Sequence, residues 1–264
     1  MPKLAVNDTQ IHYEEKGAGY PVVLLHGLTF DRRMWEHQVE GLSRSYRAIT
    51  FDLRGHGLSA SPDTEYDLDV MTEDVYQAMR ELGIAQAHVV GLSMGGMIGM
   101  RLALDHPEAV RSLVLLDTSA EPEPPDRAAA YEAMARMLRE QGPGTVADGV
   151  MSVLFSSSFL LGQPDKAKRE RERFLGVDCI GVGNATCAVT RRKDISDRIH
   201  KIKVPTLVIV GEMDAATPVE ESQAIQAAIP GSRLEIVPSA GHMTPIEKPE
   251  EVSQLIVEFL SSVS

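Results

Sequence analysis

Between residues 87 and 104 an apolar stretch changes character at one serine. Ala87 to Val90 is apolar and β-branched enough for a buried strand, and Met94 to Leu104 carries the mixed apolar pattern of a buried helix. Between them stands Gly91-Leu92-Ser93-Met94-Gly95-Gly96. A strand that turns directly into a helix strains the backbone of the residue at the turn, and side chains two positions to either side of it would strike neighbouring backbone. Glycine at 91 and 95 removes that clash. The stretch therefore predicts a nucleophile elbow, in which strand, sharp turn and helix together expose the Ser93 hydroxyl.

The flanking chain alternates in the same way. Leu4 to Val6 and Ile11 to Glu15, around Asn7-Asp8, predict a hairpin of two edge strands. The run Pro21 to Leu25 is apolar on both faces, as in a parallel sheet, and ends at His26-Gly27-Leu28-Thr29. Asp31 is placed to cap a helix containing Met34, Trp35 and Val39, and Tyr46 to Phe51 supplies the next strand. The glycine-rich loop Asp52 to Ser59 lacks the lysine and glycine order of a phosphate-binding loop, so it predicts a tight structural turn with His56 as a hydrogen-bonding residue. A helix follows from about Leu68 to Leu82, and Val110 to Leu116 forms a strand closing at Asp117.

The alternation then stops. Residues 121–198 contain Pro122, Pro124 and Pro125 and helical segments that include Arg127 to Gln141 and Lys166 to Leu175, with about a dozen charges of each sign. The mixed charges from Lys166 to Arg173 predict a solvated helix face. Strand and helix return with Val204 to Val210, Pro218 to Ala228, Arg233 to Val237 and Pro249 to Leu260. The expected organisation is an α/β core from residues 1–120 and 199–264, with a helical cap, 121–198, inserted between core strands.

Bulk properties narrow the function. A formal net charge of −12 over 264 residues disfavours nucleic acid and anionic membrane surfaces as partners. Met1 to Asp8 has no signal-peptide pattern and no run approaches a membrane span, so a cytoplasmic location is expected. Cys179 and Cys187 lack the paired spacing of a zinc site and are expected to be reduced packing residues. No metal or organic cofactor is required, and the oligomeric state is not legible.

In open parallel sheets the loops at the carboxyl ends of strands share one crevice. Here these loops hold His26 to Thr29, Ser93, Asp214 and His242, in that order. A serine hydroxyl is a poor nucleophile until a neutral histidine takes its proton, and a carboxylate stabilises the imidazolium that results. Ser93, His242 and Asp214 are assigned those roles, with Asp117 as the second candidate for the acid and a helix cap as the competing role for Asp214. The backbone N–H groups of Leu28 and Met94 are assigned to an oxyanion hole, with His26 holding its loop.

This set of motifs resembles the serine-nucleophile branch of the α/β-hydrolase superfamily over nearly the whole chain outside the cap. The resemblance implies the α/β-hydrolase fold, with a sheet of about eight mostly parallel strands, helices on both faces and a cap. Gly95-Gly96-Met97 and a cap ending near Cys187 to Ile195 are most similar to small bacterial carboxylesterases and 3-oxoadipate enol-lactonases. The expected reaction is hydrolysis of a small carboxylic ester or lactone by water through an acyl-enzyme. Carbon–carbon bond hydrolases and perhydrolases share this triad, and a ligand-binding protein on the same fold stays open as well. Arg191-Arg192-Lys193 reads first as plain surface. For an anionic substrate, Arg191 or Arg192 is expected to contribute a cation to the pocket.

Overall fold

The computed structural model describes residues 2–263, so the end residues 1 and 264 of the expected core segments lie outside the described residues. The strands are β1 (Lys3–Val6), β2 (Thr9–Lys16), β3 (Tyr20–Leu25), β4 (Tyr46–Asp52), β5 (Ala87–Leu92), β6 (Val110–Leu116), β7 (Thr206–Gly211) and β8 (Arg233–Val237). They form one sheet in the order β1-β2-β4-β3-β5-β6-β7-β8. From β4 onward every pairing is parallel, whereas β1 with β2 and β2 with β4 are antiparallel. The hairpin turns at Asn7, which takes a positive φ of 47° that asparagine tolerates. Only β1 of this hairpin is an edge strand. The polar content of β2 suggested a second edge, but its buried His12 meets the buried Asp52 carboxylate of β4 at 3.1 Å, and this polar pairing lies inside the sheet.

Asp31 caps a 3-10 turn, Arg32–Trp35, that runs into α1 (Glu36–Leu42). Helices α2 (Leu68–Glu81) and α3 (Met94–Asp105) follow β4 and β5. Between β6 and β7 lie α4 (Pro125–Gln141), α5 (Ala147–Leu154), α6 (Ser157–Gly162), α7 (Pro164–Leu175) and α8 (Cys179–Thr190). The chain ends with α9 (Val219–Ala228), α10 (Thr244–Glu247) and α11 (Pro249–Ser262). Among the described residues no helix is long and apolar enough to cross a membrane.

The two-residue period of a strand divides the apolar side chains between two cores. Val23, Leu25, Val89 and Leu113 pack with Met71 of α2, Ile98 of α3 and Ile225 of α9. Their neighbours Val22, Leu24, Val90 and Val114 pack on the opposite face with Leu42 of α1 and Ile256 of α11. The inserted helices have a small cluster of their own around Leu138, Val150 and Phe174, yet Val189 joins the first core and Phe155 the second. The face of α7 is not wholly solvated as its charges suggested. Glu170 is buried against Arg173, which also reaches Glu36 of α1 at 3.2 Å. Both cysteines are free and partly buried.

The glycine-rich segment after β4 is a structural turn, as expected. Asp52 accepts hydrogen bonds from the Arg32 and Leu58 N–H groups, both at 2.9 Å. His56 donates from Nδ1 to the Arg54 carbonyl at 3.0 Å. Its ring meets that of His26 edge to face at 4.9 Å. His26 accepts from the Leu53 N–H at Nε2, 2.9 Å away, so Nδ1 carries the proton and donates to Gly27 O at 2.8 Å. Burial lowers His26 from 6.5 to about 4. Burial, reinforced by His26, lowers His56 to about 3.

At the centre of the sheet, β5, α3 and β3 approach closely. A Cβ on Gly91 would lie 2.3 Å from Gly95 O, and one on Gly95 would lie 2.1 Å from Leu25 O. A Cβ on Gly99, two turns into the helix interface, would meet Val89 Cγ1 at an ordinary 3.5 Å.

Two stability measurements check this account. Gly95→Ala should lose at least about 3 kcal/mol in urea unfolding or fail to fold, whereas Gly99→Ala should stay within about 1 kcal/mol of the parent. The unfolded chain protonates its histidines near pH 6.5, while folded His26 and His56 remain neutral to about pH 4 and about pH 3. Stability should therefore fall as pH drops through that window, by about 1.4 kcal/mol per pH unit for each histidine. His26→Gln should flatten the slope, and a profile that is flat in the parent would contradict the neutral burial.

Candidate active site

Strand β5 delivers Ser93 to the base of α3 with φ 52° and ψ −114°. Such a conformation costs a non-glycine residue about 1–3 kcal/mol, and it persists only where surrounding bonds fix it. Three do so here. The Ser93 N–H donates to Leu116 O at 2.9 Å, and Ser93 O accepts from the Met97 N–H at 2.9 Å and from Thr118 Oγ1 at 2.7 Å. With the backbone held by β6 and α3, the side chain stands at the wall of a cavity of about 380 Å3.

Asp214 lies in the turn after β7, its side chain fully buried. Oδ1 accepts from the Ala216 and Thr217 N–H groups at 2.9 and 3.0 Å, and Oδ2 accepts from Thr217 Oγ1 at 2.8 Å. His242 Nδ1 stands 2.9 and 3.0 Å from the same two oxygens. The two roles considered for Asp214 therefore coexist: one carboxylate caps its own turn and holds the histidine. Burial alone would raise its pKa, but electrostatic attraction to the His242 ring and the hydrogen bonds from His242 and Thr217 outweigh burial and hold it below the usual carboxylate range.

His242 follows β8 and shares the cavity wall with Ser93, Leu28 and Thr217. Its loop is fixed from both sides. Gly241 N–H donates to Glu247 Oε1 at 3.0 Å, and Met243 N–H donates to Leu154 O of α5 at 3.2 Å. The same Glu247 accepts from Ser156 N–H at 3.2 Å and from Ser156 Oγ at 2.5 Å, tying the histidine loop to the inserted helices. Burial raises the Glu247 pKa.

Neither the Leu28 nor the Met94 N–H has an acceptor among the described residues. Met94 is the first residue of α3, where a helix leaves its N–H groups free. Leu28 stands in the turn closed by Phe30 N–H to Gly27 O and pinned by His26.

Asp117 does not meet His242. Its Oδ1 accepts from the Gly211 N–H at 2.9 Å and its Oδ2 from Thr244 Oγ1 at 2.5 Å, so it fastens the end of β7 to α10. Burial and the nearby Asp214 charge raise its pKa. Arg191 and Arg192 are also elsewhere. Arg191 is exposed and pairs with Glu65 and Glu132, each at 3.3 Å. Arg192 is buried and occupied by Glu123 at 2.5 Å and by the carbonyls of Glu121 and Val189. Neither lines the cavity, because nearby carboxylates claim both guanidinium groups.

Thr217 and Glu247 escaped the sequence reading. Thr217 Oγ1 lies 3.3 Å from His242 Nδ1 as well as bonding Asp214, yet Thr217-Pro218 reads in sequence as a helix start. Glu247 precedes Lys248-Pro249, and nothing local in the sequence marks it as a partner of the His242 loop.

A family model described as alpha/beta hydrolase fold matches residues 20–249. The 3-oxoadipate enol-lactonase 2 of Acinetobacter baylyi is 28% identical over 255 residues, covering 96% of this chain and 94% of that one. Among solved structures, a thermophilic esterase from Thermogutta terrifontis with malate bound superposes with a TM-score of 0.94 at 33% identity, covering 99% of this chain and 98% of that one. The enol-lactonase from Burkholderia xenovorans LB400 gives 0.93 at 32% identity, covering 98% of this chain and 100% of that one. With most of its length matched, the chain belongs to the α/β-hydrolase fold family and resembles its carboxylesterases and enol-lactonases.

Proposed function

We propose that this protein is a serine hydrolase that cleaves a small carboxylic ester or lactone through an acyl-enzyme. The observation that carries the reading is the meeting of Ser93 and His242 at one cavity wall, with His242 Nδ1 2.9 Å from a buried Asp214 carboxylate. An ionised Asp214 fixes the imidazole proton on Nδ1. Nε2 is then a free lone pair, the form a general base requires.

In this reading Nε2 takes the Ser93 proton as Oγ attacks the carbonyl carbon. The resulting oxyanion is met by the Leu28 and Met94 N–H groups, which have no competing protein acceptor and need not reorganise. The imidazolium returns its proton to the leaving alkoxide, leaving Ser93 acylated. Water then enters, His242 removes one of its protons, and collapse of the second tetrahedral intermediate frees the acid and restores Ser93. A lactone follows the same steps, with its alkoxide tethered to the acyl group. The inserted residues 121–198 act as the cap, since more than half of the residues lining the cavity come from them.

Matched variants assayed on a panel of aryl esters and lactones test the mechanism. Ser93→Ala should lower kcat by at least about 10^4-fold, and Asp214→Asn by about 10^4-fold through loss of the tautomer lock. Asp117→Asn should lower stability and leave kcat within about tenfold of the parent. Equal loss in the two aspartate variants at equal stability would remove Asp214 from its role, and turnover unchanged by Ser93→Ala would remove the acyl-enzyme.

A further inference from the structure

We infer that Glu123, clamped by Arg127 and Arg192, makes the Ser93 cavity a site for neutral, apolar esters and lactones and turns away substrates that carry a carboxylate. The inference rests on the reading of Ser93 as nucleophile and names the substrate class of that site.

Away from Ser93 and His242, the cavity wall is built from Met97, Met134, Met137, Val150, Val153 and Leu154. Apart from His242, the only ionisable lining side chains among the described residues are Glu123 and Tyr131. Burial, with Glu123 beside it, raises Tyr131 to about 12, so its hydroxyl stays neutral. Lysine and arginine are absent from the lining.

The two cations that pair with Glu123, Arg127 and Arg192, both lie outside the lining. Arg192 Nη1 donates to Glu123 Oε2 at 2.5 Å, and the arginine side chain is 1% exposed. Arg127 Nε lies against Glu123 Oε1. Its remaining nitrogens donate to Glu221 at 2.7 Å and to Ala216 O at 2.5 Å. Two arginines thus face two glutamates, and their formal charges cancel. A carboxylate entering this cavity would shed its water, meet no cationic side chain among the described lining residues and face Glu123 across a low-dielectric space. The effective penalty for burying such an ion uncompensated is several kcal/mol, on the order of 100-fold or more in kcat/KM. A neutral acyl chain packs against the methionine, valine and leucine side chains of the lining and gains from their contact.

The test uses three p-nitrophenyl esters of similar length: the valerate, the hemiglutarate with its free carboxylate, and the methyl ester of that hemiglutarate, which keeps the size and removes the charge. In the parent enzyme kcat/KM for the valerate and for the methyl ester should each exceed that for the hemiglutarate by at least about 100-fold, beyond the difference in uncatalysed rates. Glu123→Gln leaves two arginines facing one glutamate and should shift the ratio toward the hemiglutarate by at least about tenfold. Arg192→Met removes a cation and should shift it the other way. A parent ratio near one overturns the inference while leaving the serine mechanism in place. A large parent ratio that neither variant moves, with the Gln variant folded by circular dichroism, removes Glu123 as the cause. If the Gln variant does not fold, the direction of the Arg192→Met shift decides. Absence of Ser93-dependent release from all three esters overturns the serine-hydrolase reading and this inference with it.

Discussion

The strained backbone of Ser93 exists because three chain segments pack too closely to leave an alternative. Gly91 and Gly95 bring β5, α3 and β3 within distances that no side chain could share, and Leu116 and Thr118 fix the serine's own amide and carbonyl. A strand end, a helix start and a reactive hydroxyl therefore coincide at one point. The consequence is electrostatic as well as geometric. Because the helix begins at the residue after the serine, its first N–H groups are unbonded and adjacent to the hydroxyl, and the positive end of its dipole lies where negative charge would develop. In the proposed mechanism, no separate device is needed to build that half of an oxyanion hole.

Asp117, Asp214 and Glu247 are buried together in the loops after β6, β7 and β8, and among these three the donors decide what each does. Asp117 binds Gly211 N–H and Thr244 Oγ1, while Glu247 binds Gly241 N–H and the Ser156 amide and hydroxyl. Those partners are neutral and cannot compensate a full charge, so burial raises both groups. Asp214 alone has an imidazole as partner, and it alone is held below the usual range. The difference follows from where the three loops place a histidine.

Much of this was legible in the sequence because it follows from backbone sterics and period. The two-residue alternation that sorts Val22 from Val23, and Val89 from Val90, can be read from apolar runs without a structure. The glycines at 91 and 95 likewise announce a close approach. What was not legible depends on contacts between distant residues. The placement of β2 inside the sheet rests on His12 meeting Asp52, forty positions away. Arg191 and Arg192 look like free cations until Glu65, Glu132 and Glu123 are brought beside them. Thr217 reads locally as part of a helix start, nothing local marks Glu247, and only the fold gives them His242's ring and His242's loop as partners.

The inserted helices are bonded to the loops that carry the reactive groups. Leu154 O holds Met243 N–H, Glu247 joins Ser156 to Gly241, and Arg127 donates to Ala216 O within the turn whose Ala216 N–H binds Asp214. The inserted helices that line the cavity and the loops that carry Asp214 and His242 are thus one hydrogen-bonded unit. Charge placed on the cavity wall acts on both. The Arg127, Arg192, Glu123 and Glu221 cluster fastens the insert to the Asp214 turn. In the proposed mechanism, a cation added to that wall to capture an acidic substrate would also oppose the positive charge that proton transfer places on His242.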